Sequence, residues 1–284
     1  MSLYQQKPYA FFDLVVHDIL SIPGLTGASA GYENNKFRND DLAEYLIEWL
    51  PDFALRYSDL EEFNSGNGRR MLRKAAQVVY TSPKYKARGE FGELLLHALL
   101  REVFDSEPAI SKMYYKTALN DTVKGFDAVH IVDAEDGLEL WLGEVKFYNK
   151  DGKRAVTDIA KEIVEHTDYD YLKNEFLLID NKVDAKWPHA ESLRDLISKR
   201  KSLDEVFERV CIPALITYES KCVAEHKKVS GSFRHEICAE LRELHKTFTN
   251  KTSPNVRIHL FLVPLERKSD LIQVLDKKLK GMQT

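Results

Sequence analysis

The most constraining feature of this 284-residue chain is a turn signal at its centre. Asp136-Gly137 stands between two strand-like runs, 126–132 and 138–147. An Asp-Gly pair readily supplies the positive φ angles of a tight hairpin, so the two runs are expected to pair antiparallel. With Asp136-Gly137 as the two-residue loop, Glu135 faces Leu138, and the ladder sets Val129 opposite Glu144 and Asp127 opposite Lys146. Paired residues share a face of a sheet, as do residues two apart along a strand. Asp127, Glu144 and Lys146 are therefore expected on one face, at the end of the stripe Leu138, Leu140, Leu142. A bulge or a three-residue loop would break this parity.

Helical periodicity surrounds the hairpin. Residues 89–104 turn Leu94, Leu95, Ala98 and Leu99 inward, and 155–166 do the same with Val156, Ile159, Ala160 and Ile163. Residues 42–50 form an apolar face ended by Pro51, after a cap at Asn39 or Asp40. The Gly-, Ser- and Asn-rich stretch 21–39 reads as a loop. Strands are expected at 112–116, 212–218 and 256–263, with helices near 190–209, 233–248 and 269–280. The apolar run 176–179 reads as a short buried strand. Strands separated by helices indicate an α/β fold with a central mixed sheet flanked by helices. The expected organisation is a mostly helical N-terminal region, 1–85, and an α/β core with a C-terminal extension, 86–284.

Charge narrows the partners. Net charge is −4, whereas a chain that grips nucleic acid unaided is usually basic. The average hides a contrast. Residues 65–89 carry Arg69, Arg70, Arg73, Lys74, Lys84, Lys86 and Arg88 with no acid, after an acidic stretch from 1 to 64. On a helix over 69–80, Arg70, Arg73, Lys74 and Gln77 oppose Leu72, Ala75, Ala76 and Val79. That face, continued by Lys84, Lys86 and Arg88, is either a solvated surface or a DNA-binding stripe that contacts phosphates without reading bases. Cys211, Cys222 and Cys238, without CxxC spacing, argue against a disulfide framework and a cysteine-rich zinc site. No apolar run approaches the ~20 residues of a membrane span, and the N-terminus lacks a secretory pattern. The expected compartment is the bacterial cytoplasm.

Two carboxylates and a lysine in one cleft suit metal-dependent phosphodiester hydrolysis. Asp127 and Glu144 would hold a hard cation, Mg²⁺ or Mn²⁺, while Lys146 orients the nucleophile or offsets developing charge. Glu90, Glu93 and His97 share a face of the helix over 89–104, and one glutamate is expected to complete the metal shell. The plain alternative is a cross-strand ion pair without catalysis. His130 and His97 are expected to be structural.

The arrangement resembles the core of the PD-(D/E)xK nuclease superfamily: an acid on a helix, an Asp opening a strand, an (E/D)-x-K strand, and a helix behind. KGFDAVH at 124–130 and GEVK at 143–146 fill the two strand motifs, and RGEFGE at 88–93 favours Glu93 over Glu90. EYLIEWLPDFAL (44–55), RGEFGELLLHALLRE (88–102), KGFDAVHIV (124–132) and LWLGEVKFY (140–148) resemble the HamA family, nuclease subunits of Hachiman anti-phage defence systems. The resemblance implies a restriction-endonuclease-like core and a DNA nuclease of little sequence preference. It also implies a partner helicase, HamB, that restrains and delivers the nuclease. Two other readings remain open: a non-catalytic adaptor that binds DNA or a helicase, and a site-specific restriction or repair nuclease.

Overall fold

The computed structural model describes residues 3–79, 89–111, 125–135, 137–148, 152–198, 200–252 and 255–283. Its strands are β1 (Asp13–Asp18), β2 (Gly24–Ser29), β3 (Tyr32–Glu33), β4 (Lys36–Phe37), β5 (Glu107–Pro108), β6 (Ala128–Ala134), β7 (Gly137–Phe147), β8 (Val210–Glu219) and β9 (Arg257–Leu265). Seven of them form one sheet in the order β1-β2-β9-β8-β7-β6-β5. The central strands β2, β9, β8 and β7 run parallel, and both margins are antiparallel. Parallel strands need cover on both faces, and β8 is buried from Val210 to Tyr218. The mixed α/β expectation holds.

Helices are α1 (Asn39–Glu48), α2 (Leu50–Ala54), α3 (Tyr57–Glu61), α4 (Gly68–Val79), α5 (Gly89–Phe104), α6 (Gly152–His166), α7 (Tyr169–Lys182), α8 (Ala190–Leu196), α9 (Leu203–Phe207), α10 (Lys221–Glu225), α11 (Gly231–Thr249) and α12 (Lys268–Gln283). Helix α5 packs on one face of β7. A Cβ on Gly92 would lie 2.6 Å from Val145 Cγ1, and one on Gly143 would lie 2.6 Å from Leu96 Cδ2. These two glycines let helix and strand approach closely. Helix α6 covers the opposite face, over β7 and β8, with Ala155, Val156, Ile159 and Ile163 fully buried. None of the described helices is long and apolar enough to cross a membrane.

Several expectations fail for identifiable reasons. The N-terminal region is not mostly helical, because β1 and β2 extend the main sheet. The stretch 21–39 is not a plain loop. Its small residues are strand residues packed too closely for side chains: a Cβ on Gly27 would meet Leu241 Cδ1 at 2.5 Å. Pro51 does not end the helix over 42–50. Helix α1 stops at Glu48, and Pro51 sits in the first turn of α2, where its missing N–H costs nothing. The cap of α1 is Arg38, with no side-chain capping bond. Residues 176–179 lie inside α7. Phe176 and Ile179 are buried while Leu177 and Leu178 are exposed, which is helical rather than strand alternation. The region 190–209 holds two short helices, α8 and α9, instead of one. The strand expected at 112–116 lies outside the described residues.

The hairpin register is also corrected. Ala134 pairs with Gly137, and Val129 pairs with Leu142. Gly137 is therefore not part of the loop but uses its φ of +111° as the first paired residue of β7. The slip is two residues, an even number, so it exchanges partners without turning the strand over. Asp127 consequently lies beside Glu144 instead of opposite Lys146. Its amide donates to Gly143 O at 2.8 Å, and its carboxylate accepts from Val145 N at 2.9 Å, on either side of Glu144.

Candidate active site

Asp127 sits just before β6, where regular pairing ends at Ala128–Gly143. Its Oδ2 takes the Val145 amide in place of a backbone carbonyl, which fixes the carboxylate at the margin of the sheet. The approach to it is held from below. Glu175 on α7, itself buried, accepts from the Phe126 amide and stands against Gly125, whose absent Cβ would lie 3.0 Å from Glu175 Oε2. Burial raises the Glu175 pKa despite that hydrogen bond.

Glu144 and Lys146 project from β7 toward α6, away from α5. Glu144 is only 3% exposed, and its carboxylate bonds to His166 Nδ1 at the end of α6. One turn earlier on the same helix, Glu162 forms an ion pair with Lys146. The His166 ring lies flat on Tyr171, with centroids 4.4 Å apart and 5° between planes, and Phe126 abuts its edge. The aromatic pair fixes the imidazole so that its nitrogen points at Glu144.

These contacts set the charge states. Burial raises the Glu144 pKa, and Glu162 adds to the effect, although His166 opposes it. Burial alone would lower the Lys146 pKa, but the carboxylates of Glu162, Glu144 and Asp127 outweigh it and the value is raised. His166 behaves likewise: burial favours the neutral ring, while Glu144, Glu162 and Asp127 raise its pKa. Asp127, Glu144, Glu162, Lys146 and His166 thus act on one another as one electrostatic cluster.

The structure brings together Asp127, Glu144 and Lys146 as the sequence suggested. It adds Glu162, His166, Tyr171 and Glu175, which sequence reasoning missed. Glu162 and His166 were detectable in principle: they lie four residues apart, on neighbouring turns of a helix face, in the helix that follows the Glu-x-Lys strand. Glu93 is buried on α5, which packs on the face of β7 opposite Glu144 and Lys146. Glu90 opens the same helix. His97 and His130 are buried 3.2 Å apart, with His130 bonded to Ser106 and His97 beside Asp52. Both are core histidines whose pKa values burial lowers.

The basic stripe is only partly described. On α4, Arg70 is exposed and Arg73 half-buried, while Lys74 is paired with Asp59 at 2.9 Å. Met71, Ala75, Ala76 and Val79 form the buried face, so Met71 takes the place foreseen for Leu72. Lys84, Lys86 and Arg88 lie outside the described residues.

Residues 10–279 match the family model described as HamA. The chain is also similar to Anti-bacteriophage protein A of Escherichia coli (strain K12), 22% identical over 263 residues. That alignment covers 88% of this chain and 46% of the relative, so the chain spans about half the length of the curated protein it matches. The family match runs through the sheet, the Asp127–Glu144–Lys146 cluster and the helices on both faces, and the chain belongs to the HamA family.

Proposed function

We propose that this chain is a metal-dependent DNA nuclease working in anti-phage defence. The observation that carries the reading is the position of Asp127. Its carboxylate is held by the amide between Glu144 and Lys146, which places two acids and a lysine at one point of the sheet. Asp127 and Glu144 would hold a hard divalent cation, Mg²⁺ or Mn²⁺. The donor set fits, because both ligands are carboxylates and the deeply buried Glu144 requires positive charge beside it. Such a cation polarises a phosphoryl oxygen and acidifies bound water. Lys146, charged through its acidic neighbours, orients the attacking oxygen and offsets charge on the phosphorus centre. His166 holds the Glu144 carboxylate in place. Glu162 steers Lys146 from the same side and is a further acid of the site. The name of the E. coli relative supports the defence role. A helicase partner, HamB, remains part of this proposal, carried by the family resemblance.

A second reading, a non-catalytic adaptor, draws on one observation: Glu144 and Lys146 are each satisfied by a partner on α6. One experiment separates the two. Purified chain is incubated with plasmid and linear DNA and Mg²⁺ or Mn²⁺, with and without the helicase and nucleotide. Glu144→Ala and Lys146→Ala are tested in parallel. Cleavage that requires the metal and is lost in both variants is expected. Equal behaviour of wild type and variants under every condition would falsify the nuclease reading.

A further inference from the structure

Beyond the C-terminal end of β8, away from the cluster on β7, lies a second group of chemistry-bearing side chains. Among the described residues, Cys222, His226 and Glu236 are a trio whose ligand atoms all lie within 4.8 Å of one another. Cys222 belongs to α10, His226 caps the end of α10, and Glu236 lies in the second turn of α11. We propose that Cys222 Sγ, His226 Nε2 and a Glu236 carboxylate oxygen bind a borderline-soft divalent cation, zinc by preference, which clasps α10 to the start of α11.

The tautomer of His226 is the first argument. Its Nδ1 lies 2.9 Å from the Cys222 carbonyl oxygen. A carbonyl only accepts, so Nδ1 carries the proton and the Nε2 lone pair points outward. A ligating histidine commonly anchors its other ring nitrogen in this way. Nε2 then faces a Glu236 oxygen at 3.7 Å. Both are acceptors, so no hydrogen bond joins the neutral ring's Nε2 to that carboxylate, and a cation between them satisfies both. The second argument is size. Tetrahedral zinc with its usual bond lengths sets ligand atoms roughly 3.3–3.7 Å apart. Nε2 and the Glu236 oxygen lie 3.7 Å apart and the three ligand atoms lie within 4.8 Å of one another, so small side-chain rotations, above all of the exposed Glu236, close the shell, with water in the fourth position.

The platform is already built. Ser220 caps α10 through the Val223 amide at 3.2 Å, Tyr32 donates to Val223 O at 2.7 Å, and Phe233 packs against the His226 ring at 5.5 Å. The Cys222 sulfur lies 4.0 Å from Phe233 O and feels the negative charges of Glu240, Glu236 and Glu225. The same negative charges favour a divalent ion. On binding, the thiol proton leaves to solvent and the thiolate becomes a ligand. The mixed sulfur, nitrogen and oxygen set selects against Mg²⁺, which prefers oxygen alone.

The test uses Co²⁺ as a coloured substitute for zinc on chelator-treated full chain. One equivalent should give a thiolate-to-cobalt charge-transfer band and tetrahedral visible bands, displaced by zinc and untouched by excess Mg²⁺. Cys222→Ser should abolish the charge-transfer band, whereas Cys211→Ser and Cys238→Ser leave it intact. His226→Ala and Glu236→Ala should weaken binding at least about tenfold. Cys222 is buried, so circular dichroism checks each variant's fold, and the exposed Glu236 variant supplies an independent measurement. No stoichiometric band in folded wild type, a band that survives Cys222→Ser, or unchanged affinity in Glu236→Ala overturns the proposal.

Discussion

His166→Ala tests whether Glu144 is held as a charged group. The Glu144 side chain is 4% exposed and that of His166 22%. Removing the ring leaves a carboxylate inside the protein, while Lys146 stays committed to Glu162. Breaking a fully buried pair costs about 3–5 kcal/mol. Because the His166 side is partly open, water enters and the loss from the orphaned carboxylate falls to about 1–3 kcal/mol. The lost stacking on Tyr171 contributes about 0.5–1.5 kcal/mol more. The expected sum is about 1.5–4.5 kcal/mol. Urea unfolding at neutral pH in chelator reads this as a lower midpoint with an unchanged slope. Glu144→Gln in the same background should recover part of the loss, because a neutral amide does not need a cation beside it. A His166→Ala variant within about 0.5 kcal/mol of wild type, the range of inert surface changes, refutes the reasoning. So does a double variant whose losses simply add.

Three further outcomes follow from the geometry. Gly143→Ala forces a methyl to 2.6 Å from Leu96 Cδ2 and 2.9 Å from Ala128 Cβ, both buried. It should cost about 1–3 kcal/mol and lower the urea midpoint, and a neutral result would show that α5 is not packed tightly on β7. Glu162→Gln removes the strongest support for a raised Lys146 pKa; the alkaline limb of cleavage should move to lower pH, and an unmoved limb argues that Lys146 does not titrate in the reaction. His259, bonded to Thr26 at 2.7 Å, is driven by burial down to a pKa of about 3. Between about pH 6.5 and 3 the unfolded chain binds a proton there that the folded chain refuses. Stability should fall as pH drops through that window, and His259→Gln should flatten the slope; parallel slopes in both proteins would contradict the assignment.

What the sequence revealed and what it hid have separate physical causes. The Asp-Gly pair located the hairpin because few residues tolerate a tight turn. It misplaced the loop by one residue on each side because Gly137 has its positive φ just after the turn. The site survived that error: side-chain alternation has a period of two and the slip was even. Helix α5 was legible from end to end, since its leucines repeat with a helical period. Strand β2 was not, because GLTGAS carries turn-like residues that only the closeness of Leu241 and His259 explains. For Glu162, His166 and Glu175 the limit was different. A charged residue on a helix looks solvated in sequence, and only the placement of α6 and α7 against β7 and the segment before β6 gives these three their partners.

The charge balance of that cluster bears on how the proposed nuclease would meet DNA. Among the described residues, Asp127, Glu144 and Glu162 contribute three carboxylates to the cluster, against two cations in Lys146 and His166 when all are ionised. The cluster is then one charge short of neutral and repels a phosphodiester. The chain as a whole is acidic as well, at −4, and on α4 the Lys74 charge is spent on Asp59. A divalent ion held by Asp127 and Glu144 would reverse the sign of the cluster and would turn the same residues into a phosphate site. DNA binding and chemistry would then depend on one ion, and DNA affinity measured at constant ionic strength should rise when Mg²⁺ replaces a monovalent salt. Asp127→Asn should lose that increment, while its metal-free affinity does not fall, because the variant cluster is neutral. If Mg²⁺ leaves affinity unchanged, or Asp127→Asn keeps the increment, phosphate recognition lies elsewhere on the chain and the cluster is not where the cation acts.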